Sequence, residues 1–430
     1  MNRYQSYLRG YYSPSFFKMG ISVIEPLDNP ENLPELPKST FFHEYIHFLQ
    51  DISTTYGLIN TCIVVTKMKF ANHYILNSIG NKFKVPITFT ADPITEINSK
   101  LQEVYLGYPS PSINHLIIAD VRKEATSVFL PAPFNKFITT VKIYHADSLG
   151  GTASFSFGSL HIMETMCHIA QQVYSPGITH ADVPYKTAQL VAQYIYDIIS
   201  SVPLNVFALC EASMMHSYPA DCFFEMLIQM KVEHFVPETE LEIYDFVFRN
   251  IHENGSGRTL LQIFETQIDL TINELSSYFT TGNFSIEKQW ITHLLNEAMK
   301  IRLENPAFIL SLLKQTELYS DELKRIMLLL GTPLMQNLDG ECWFQKPLAL
   351  RHLEISPDRL AAILEIHDLW MSGKKGCELK RFCTRSLIGS TTDERCDNAP
   401  WTRCNNNEPL CSFAQFWKTW KLIGKEPQFY

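Results

Sequence analysis

The feature that most constrains this chain is the pattern His-Glu-x-x-His, which stands inside an apolar run. Residues four apart lie on one face of an α-helix, so His43 and His47 can present two imidazole nitrogens to one metal ion. Glu44 projects beside that position, where a carboxylate can take a proton from a water molecule bound to the metal. The pattern therefore indicates a helix that carries a catalytic metal.

The surroundings of the motif favour a metal site over the alternative, a buried helix that only carries two histidines. The flanking side chains are bulky and apolar, and a metal site needs such rigid walls. We place the helix at about residues 39–57, with Ser39 or Thr40 as its N-cap. Asp51 follows His47 by four residues, and its carboxylate could fix the tautomer of an imidazole.

Composition describes an ordinary globular protein and argues against several classes of function. The 430 residues are 46% hydrophobic and 19% charged, and the net charge of −9 argues against a chain built for nucleic acid or an anionic membrane. Residues 1–20 lack the pattern of a signal peptide, and no apolar run is long enough to span a membrane. We therefore expect a cytoplasmic protein whose ten cysteines are reduced thiols or metal ligands.

The order of the predicted elements indicates an α+β fold in three parts. β-rich segments dominate from about residue 83 to residue 157, and apolar residues then recur every three or four positions from about 185 to 330. We expect a catalytic unit of mixed strands and helices at 1–175, a mostly helical lobe at 176–335, and an irregular Cys- and Trp-rich cap at 336–430.

A catalytic zinc ion needs a third protein ligand besides two imidazoles, and its fourth position is left for water. The His-x-x-Gly-x-x-His extension that supplies a third histidine in some proteins is absent after His47. A glutamate on a separate helix is the better candidate. Glu164 lies among apolar residues of a helix predicted at about 158–173, where a carboxylate needs a strong partner. Glu211 has the same kind of setting and is the alternative third ligand.

Two histidines share a helix face with Glu164. Either of them could orient the carboxylate or contact a substrate oxyanion: His161 and His168. For both glutamates the alternative interpretation is a carboxylate at a helix interface, held by a lysine or a hydroxyl group.

The sequence His43-Glu44-x-x-His47 with a distant helical glutamate resembles the gluzincin-like metallopeptidases of the zincin superfamily. The wider phrase at residues 43–50, followed by Thr-Thr-Tyr-Gly, also resembles a group of uncharacterised bacterial HExxH proteins. The resemblance implies a zincin-like fold and a zinc metallopeptidase that cleaves a protein or peptide. His43 and His47 would bind zinc, Glu44 would be the general base, and a later glutamate would complete the site. The Asn-Glu-x-x-Ser-Asp stretch of well-known gluzincins is absent.

Two other functions stay open from the sequence. One is a non-catalytic protein in which the zinc is structural and the helical lobe recognises a partner. The other is a zinc hydrolase that acts on a non-peptide amide. A cytoplasmic protease also needs restraint, so we expect a regulatory protein partner to be one means of controlling it.

The C-terminal cap concentrates half of the cysteines of the chain. They could bind a second, structural metal: Cys377, Cys383, Cys396, Cys404 and Cys411. Zinc bound by four thiolates would supply folding energy to a segment with little core. None of the spacings is the Cys-x2-Cys of zinc ribbons, so unliganded thiols and a redox or iron–sulfur role remain alternatives.

Overall fold

The polypeptide backbone combines helices with small sheets, as the sequence predicts for a mixed α+β protein. The computed structural model of the protein describes residues 4–6, 9–90, 92–128, 136–146, 151–251, 257–279, 282–385, 392–405 and 410–430.

The elements of the first part are β1 (Tyr4–Ser6), β2 (Gly10–Ser13), β3 (Lys18–Ile21), α1 (Glu35–Ser53), α2 (Thr55–Asn77), β4 (Lys82–Val85), α3 (Pro93–Leu106), β5 (Ile118–Val128), β6 (Lys136–Ala146), β7 (Thr152–Phe157) and α4 (Ser159–Tyr174). The helical part contains α5 (Thr187–Ile195), α6 (Asp197–Ser200), α7 (Pro203–Ser213), α8 (Pro219–Val232), α9 (Glu240–Asn250), α10 (Leu260–Ser276), α11 (Ser285–Glu304), α12 (Phe308–Leu313) and α13 (Asp321–Leu330). The last part contains β8 (Leu334–Gln336), β9 (Cys342–Trp343), α14 (Asp358–Ser372), α15 (Lys380–Arg385), α16 (Arg395–Asn398), α17 (Ser412–Thr419) and β10 (Glu426–Phe429).

Strands from opposite ends of the sequence share sheets. The strand order of the largest described sheet is β1-β2-β3-β8-β9, in which β3 and β8 run parallel, with Lys18 opposite Leu334. Strand β10 pairs in parallel with β4, near the other end of the chain. Residue 336, where we placed a domain boundary, therefore lies inside a sheet, and backbone hydrogen bonds join the C-terminal part to the N-terminal part.

Helix α1, which carries the His-Glu-x-x-His motif, begins earlier and ends earlier than the sequence predicts. It starts at Glu35, directly after Pro34, so Ser39 and Thr40 are not its N-caps. Pro37 falls in the first turn, where a missing N–H costs no helical hydrogen bond. All of Ser39–Ser53 is buried.

The boundary between α1 and α2 is set by Thr54 rather than by Gly57, the residue where we expected the first helix to end. The backbone of Thr54 is extended, and its side chain accepts a hydrogen bond from the Gly57 N–H. This is the geometry of an N-cap, so the chain starts a new helix at once. The buried face of α1 then packs against α2, α4, α11 and β2.

The antiparallel sheet β5-β6-β7 delivers the chain to α4, because β7 ends at Phe157 and α4 begins at Ser159. Helix α4 lies against α1, and α7 packs on α4. The pairing of α1 with α4 is what positions the candidate site.

The C-terminal cap is more regular than the sequence predicts. Helix α14 carries buried apolar side chains along most of its length, α17 packs against α14, and β10 forms a strand. In the described residues, no helix combines the length and the apolar character that crossing a membrane requires.

Candidate metal centre

Helices α1 and α4 bring the two motif histidines to one carboxylate. His43 Nε2 lies 3.3 Å from Oε2 of Glu164, and His47 Nε2 lies 3.7 Å from Oε1 of the same residue. Each of these three side chains is only 3% exposed. The buried carboxylate lies opposite two imidazole nitrogens, and these nitrogens and the carboxylate are the ligand types of a catalytic zinc site.

The other nitrogen of each imidazole is held by a glutamine. His43 Nδ1 lies 2.9 Å from Oε1 of Gln171, and His47 Nδ1 lies 2.8 Å from Oε1 of Gln50. The orientation of each amide follows from its other end: Gln171 Nε2 donates to the Ser39 carbonyl, and Gln50 Nε2 donates to a carbonyl of α4. An amide oxygen only accepts, so both imidazoles carry their proton on Nδ1.

The Nε2 of His43 is therefore the nitrogen that faces a carboxylate oxygen. A bare nitrogen and a carboxylate oxygen 3.3 Å apart in a buried place repel each other unless a proton or a metal cation lies between them. Two ligands that are each about 2.0 Å from a tetrahedral zinc ion are themselves about 3.3 Å apart. The distance between His43 and Glu164 therefore fits two ligands of one ion, and the donor set fits zinc.

A thiol lies beside the same histidines. The ligand atoms of His43, His47 and Cys167 all come within 4.8 Å of one another, so this buried group could hold a metal ion. Cys167 Sγ is 3.6 Å from Nδ1 of His47, the nitrogen that faces Gln50 at 2.8 Å. The Nε2 side of both histidines faces Glu164 instead.

Glu44 lies next to this centre in a dry environment. Its side chain is 1% exposed, and neither carboxylate oxygen has a hydrogen-bond partner among the described residues. Burial, with a further contribution from the negative charge of Glu164, raises the pKa of Glu44 well above its ordinary value. Strand β2 covers the carboxylate at Gly10: a Cβ there would lie 3.0 Å from Glu44 Oε1 and 2.8 Å from Thr40 Cγ2. Only glycine fits this close approach of strand and helix.

The segment between α4 and α5, residues 175–186, covers the centre from the other side. The rings of His180 and Tyr185 are stacked on each other, 4.4 Å apart, and each ring centroid is 6.3 Å from that of His43. His168 reaches this pair through its Nδ1, 3.0 Å from Nδ1 of His180. Burial lowers the pKa of His168 to about 3 and that of His180 to about 4, so both rings are neutral near pH 7.

Asp51 does not orient an imidazole, in contrast to the sequence prediction. Its Oδ2 accepts hydrogen bonds from the Tyr12 hydroxyl and the Ser15 N–H, at 2.9 and 2.7 Å. Hydrogen bonds from β2 and from the turn after it therefore hold this carboxylate. Gln50, the preceding residue, contacts His47 in its place.

Glu211 is not at the centre, so it does not supply the third ligand. It forms a fully buried ion pair with Arg302, and its Oε2 accepts from the Tyr244 hydroxyl at 2.6 Å and the Leu310 N–H at 3.0 Å. These partners account for the buried carboxylate without a metal. The alternative interpretation of a carboxylate at a helix interface applies here, with an arginine as its main partner.

His161 has both ring nitrogens engaged away from the metal ligands. Its Nδ1 accepts from the Gly158 N–H at 3.1 Å, and its Nε2 lies 3.0 Å from Oγ of Ser110. His161 therefore helps to cap the start of α4 and does not face a substrate. His180 and Tyr185, whose rings lie near that of His43, were not selected from the sequence.

Sequence reasoning also missed the two glutamines. Gln50 is three residues after His47 and Gln171 is seven after Glu164, so each lies on the ligand face of its helix, and this spacing could have identified both. A scan against protein-family models and searches of curated proteins and of solved structures found no match to this chain.

Proposed function

We propose that this protein is a zinc-dependent metallopeptidase of zincin-like type that cleaves a protein or peptide. The observation that carries the proposal is the pair of imidazole nitrogens that face the buried Glu164 carboxylate, with Glu44 beside them. Two histidines and a glutamate are the ligands of many catalytic zinc sites, which keep the fourth position open for water.

The proposed roles follow from where each side chain lies. His43, His47 and Glu164 would hold the ion, while Gln171 and Gln50 fix the imidazole tautomers. When bound, zinc supplies a Lewis acid that polarises a carbonyl group and lowers the pKa of water.

Glu44 would act as the proton carrier. It takes a proton from the attacking water and returns it to the leaving amine. Its dry surroundings support this role, because a carboxylate with raised pKa holds a proton readily between the two transfers.

Burial of the centre bears on how a substrate reaches it. The four side chains of the proposed site are each at most 3% exposed: His43, His47, Glu164 and Glu44. A peptide can therefore enter only if a covering segment moves. Residues 175–186 are the candidate cover, because His180 and Tyr185 lie over His43. We infer an enzyme that is slow until a substrate or a regulatory protein displaces this segment.

Ten free cysteines support a reducing compartment such as the cytoplasm.

Metal content and cleavage test the proposal together in the full chain. His43→Ala should lose one zinc ion per chain, and Glu44→Gln should keep that ion while losing cleavage of a peptide library by about 10²–10⁴-fold. His73→Ala changes an exposed histidine of α2 and is the matched control, expected to match the wild type in both readouts. Zinc that survives His43→Ala, or a Glu44→Gln protein with full activity, would contradict the proposal.

One observation favours a second function. If Cys167 served as a ligand together with the two histidines, and Glu164 completed the set after a small side-chain rotation, four protein ligands would close the site, as in structural zinc centres. The protein would then be a non-catalytic, partner-binding one. Cys167→Ser separates the two: it should leave zinc content and cleavage unchanged in the hydrolase, and it should weaken zinc binding in the structural protein. The cleavage assay should also include non-peptide amides, because a zinc hydrolase that acts on them is the remaining alternative.

A further inference from the structure

Four of the five C-terminal cysteines surround one cavity in the cap. Its lining includes Cys377, Cys383, Cys396 and Cys411. They come from separate places in the chain: before α15, inside α15, inside α16 and immediately before α17. The cavity itself is small, with a volume of about 20 Å³. The meeting of cysteines from four separate segments at one cavity requires a physical explanation.

The elements that carry these cysteines are too small to hold themselves in place. Helix α15 has six residues and α16 has four, and no residue of α15 is buried. Isolated helices of this length are unstable in water, so their position must come from tertiary contacts. A metal centre is the usual means by which a small segment with little core acquires a fixed structure.

The charge around the cavity suits anionic ligands. Arg403 lines the same cavity and is only 5% exposed, and its guanidinium pairs with Asp393 at 2.8 Å. A cation at this position would offset part of the negative charge of a centre with several thiolate ligands.

The fifth cysteine is separate from this group. Cys404 is not among the residues around the cavity, and its thiol donates a hydrogen bond to the Trp401 carbonyl at 3.0 Å. The sequence placed all five together, and the structure separates four from one. Cys404 is therefore a matched control within the same segment.

We propose that Cys377, Cys383, Cys396 and Cys411 bind a metal centre through four thiolates. This centre is distinct from the one at His43 and His47, and it does not depend on the proposed hydrolase activity. It fixes α15, α16 and the start of α17 against each other, next to α14.

Four thiolates can hold either a single zinc ion or an iron–sulfur cluster. Around one tetrahedral zinc ion, with Zn–S bonds of about 2.3 Å, all sulfurs lie about 3.8 Å apart. In a [4Fe–4S] cluster each thiolate binds a different iron, so the sulfurs lie farther apart. The metal and sulfide content of the protein distinguishes the two.

The experiment uses the full chain, expressed with added iron and cysteine and purified without oxygen. Iron, zinc and acid-labile sulfide are measured per chain, together with visible absorption. The wild type should contain one metal centre beyond the zinc that depends on His43: a second zinc ion without sulfide, or iron with sulfide and broad visible absorption. Cys396→Ser should lose this second centre while keeping the zinc that depends on His43, and Cys404→Ser should keep both.

Each other result decides a part of the proposal. A second zinc ion without sulfide, lost in Cys396→Ser and kept in Cys404→Ser, would identify the four-thiolate centre as a zinc site, and iron with sulfide that behaves in the same way would identify it as a cluster. A wild type without metal beyond the His43-dependent zinc, or equal loss in both variants, would overturn the centre itself. If Cys396→Ser loses the His43-dependent zinc as well, Cys383→Ser and the iron and sulfide content of the wild type decide the question.

Discussion

The two glutamines that hold the imidazoles should control metal affinity although neither is a ligand. We consider Gln171→Leu and Gln50→Leu, which keep the approximate volume of the side chain and remove the acceptor. Each change deletes one contact to Nδ1, of 2.9 Å for His43 and 2.8 Å for His47. The ligand atoms themselves are untouched.

The expected loss of zinc affinity follows from the position of the proton on the imidazole. Without the acceptor, the proton can move from Nδ1 to Nε2, where the Glu164 carboxylate lies 3.3 Å from the His43 nitrogen. The metal must then displace this proton. Leaving a buried N–H unpaired, or breaking a new bond to a carboxylate, costs about 1–3 kcal/mol. Changes in groups that orient metal ligands typically weaken metal affinity about 10–100-fold, which is a similar energy.

Zinc affinity measured by competition with a chelator at constant pH is the assay. Each single variant should bind zinc about 10–100-fold more weakly than the wild type, and the double variant about 10²–10⁴-fold, since the two glutamines act on different rings. Gln102→Leu is the control, because the partners of Gln102 are Lys67 and Asn60. Single variants within threefold of the wild type, or a control that weakens binding equally, would refute this explanation of the site.

Three further changes test other parts of the structure. Arg302→Met leaves the buried Glu211 carboxylate without its cation and should lower the free energy of unfolding in urea by about 3–5 kcal/mol. Gly10→Ala inserts a methyl group 3.0 Å from Glu44 Oε1, so stability should fall by about 1–3 kcal/mol and cleavage should fall more than zinc content does. Burial lowers the pKa of His161 to about 4, so this neutral ring stabilises the fold above its unfolded pKa of about 6.5 and loses that contribution as pH falls toward 4. Between pH 7 and pH 5 this amounts to about 2 kcal/mol, which His161→Gln should remove from the pH dependence of unfolding.

Each of these changes has its own check. Gly282→Ala adds a methyl group that meets no atom within 4 Å, and it should leave stability and cleavage unchanged. An Arg302→Met protein as stable as the wild type would mean that Glu211 is protonated or hydrated once the arginine is gone. Equal losses of stability between pH 7 and pH 5 in His161→Gln and the wild type would assign the acid sensitivity to other groups.

The spacing of residues in the sequence predicted much of the candidate metal centre. The four-residue interval between His43 and His47 defines one helix face whatever the helix packs against. The choice of Glu164 came from its apolar neighbours on one helix, and the structure brings that carboxylate to both histidines. Glu211 has similar neighbours, and nothing within its own helix reveals that Arg302, 91 residues further along, is its partner.

Local reasoning was less reliable where two effects compete for the same residue. We expected the helix to begin at Ser39 or Thr40, but it begins at Glu35, and Pro37 falls in the first helical turn, where proline is tolerated. Asp51 was assigned to an imidazole because of its spacing, and the β2–β3 turn supplies it with donors that no spacing within α1 predicts.

The sequence by itself determined which face of α1 carries both histidines, the candidate ligand types on that face and the mixed class of the fold, because these depend on helical periodicity and on residue chemistry. Tertiary structure decided which carboxylate faces the histidines, that Gln171 fixes the tautomer of His43 from 128 residues away, and which four cysteines converge. It also decided that β3 pairs with β8. The physical reason is that such contacts join residues far apart in the chain, and their free energy comes from the packing of whole elements rather than from any short stretch.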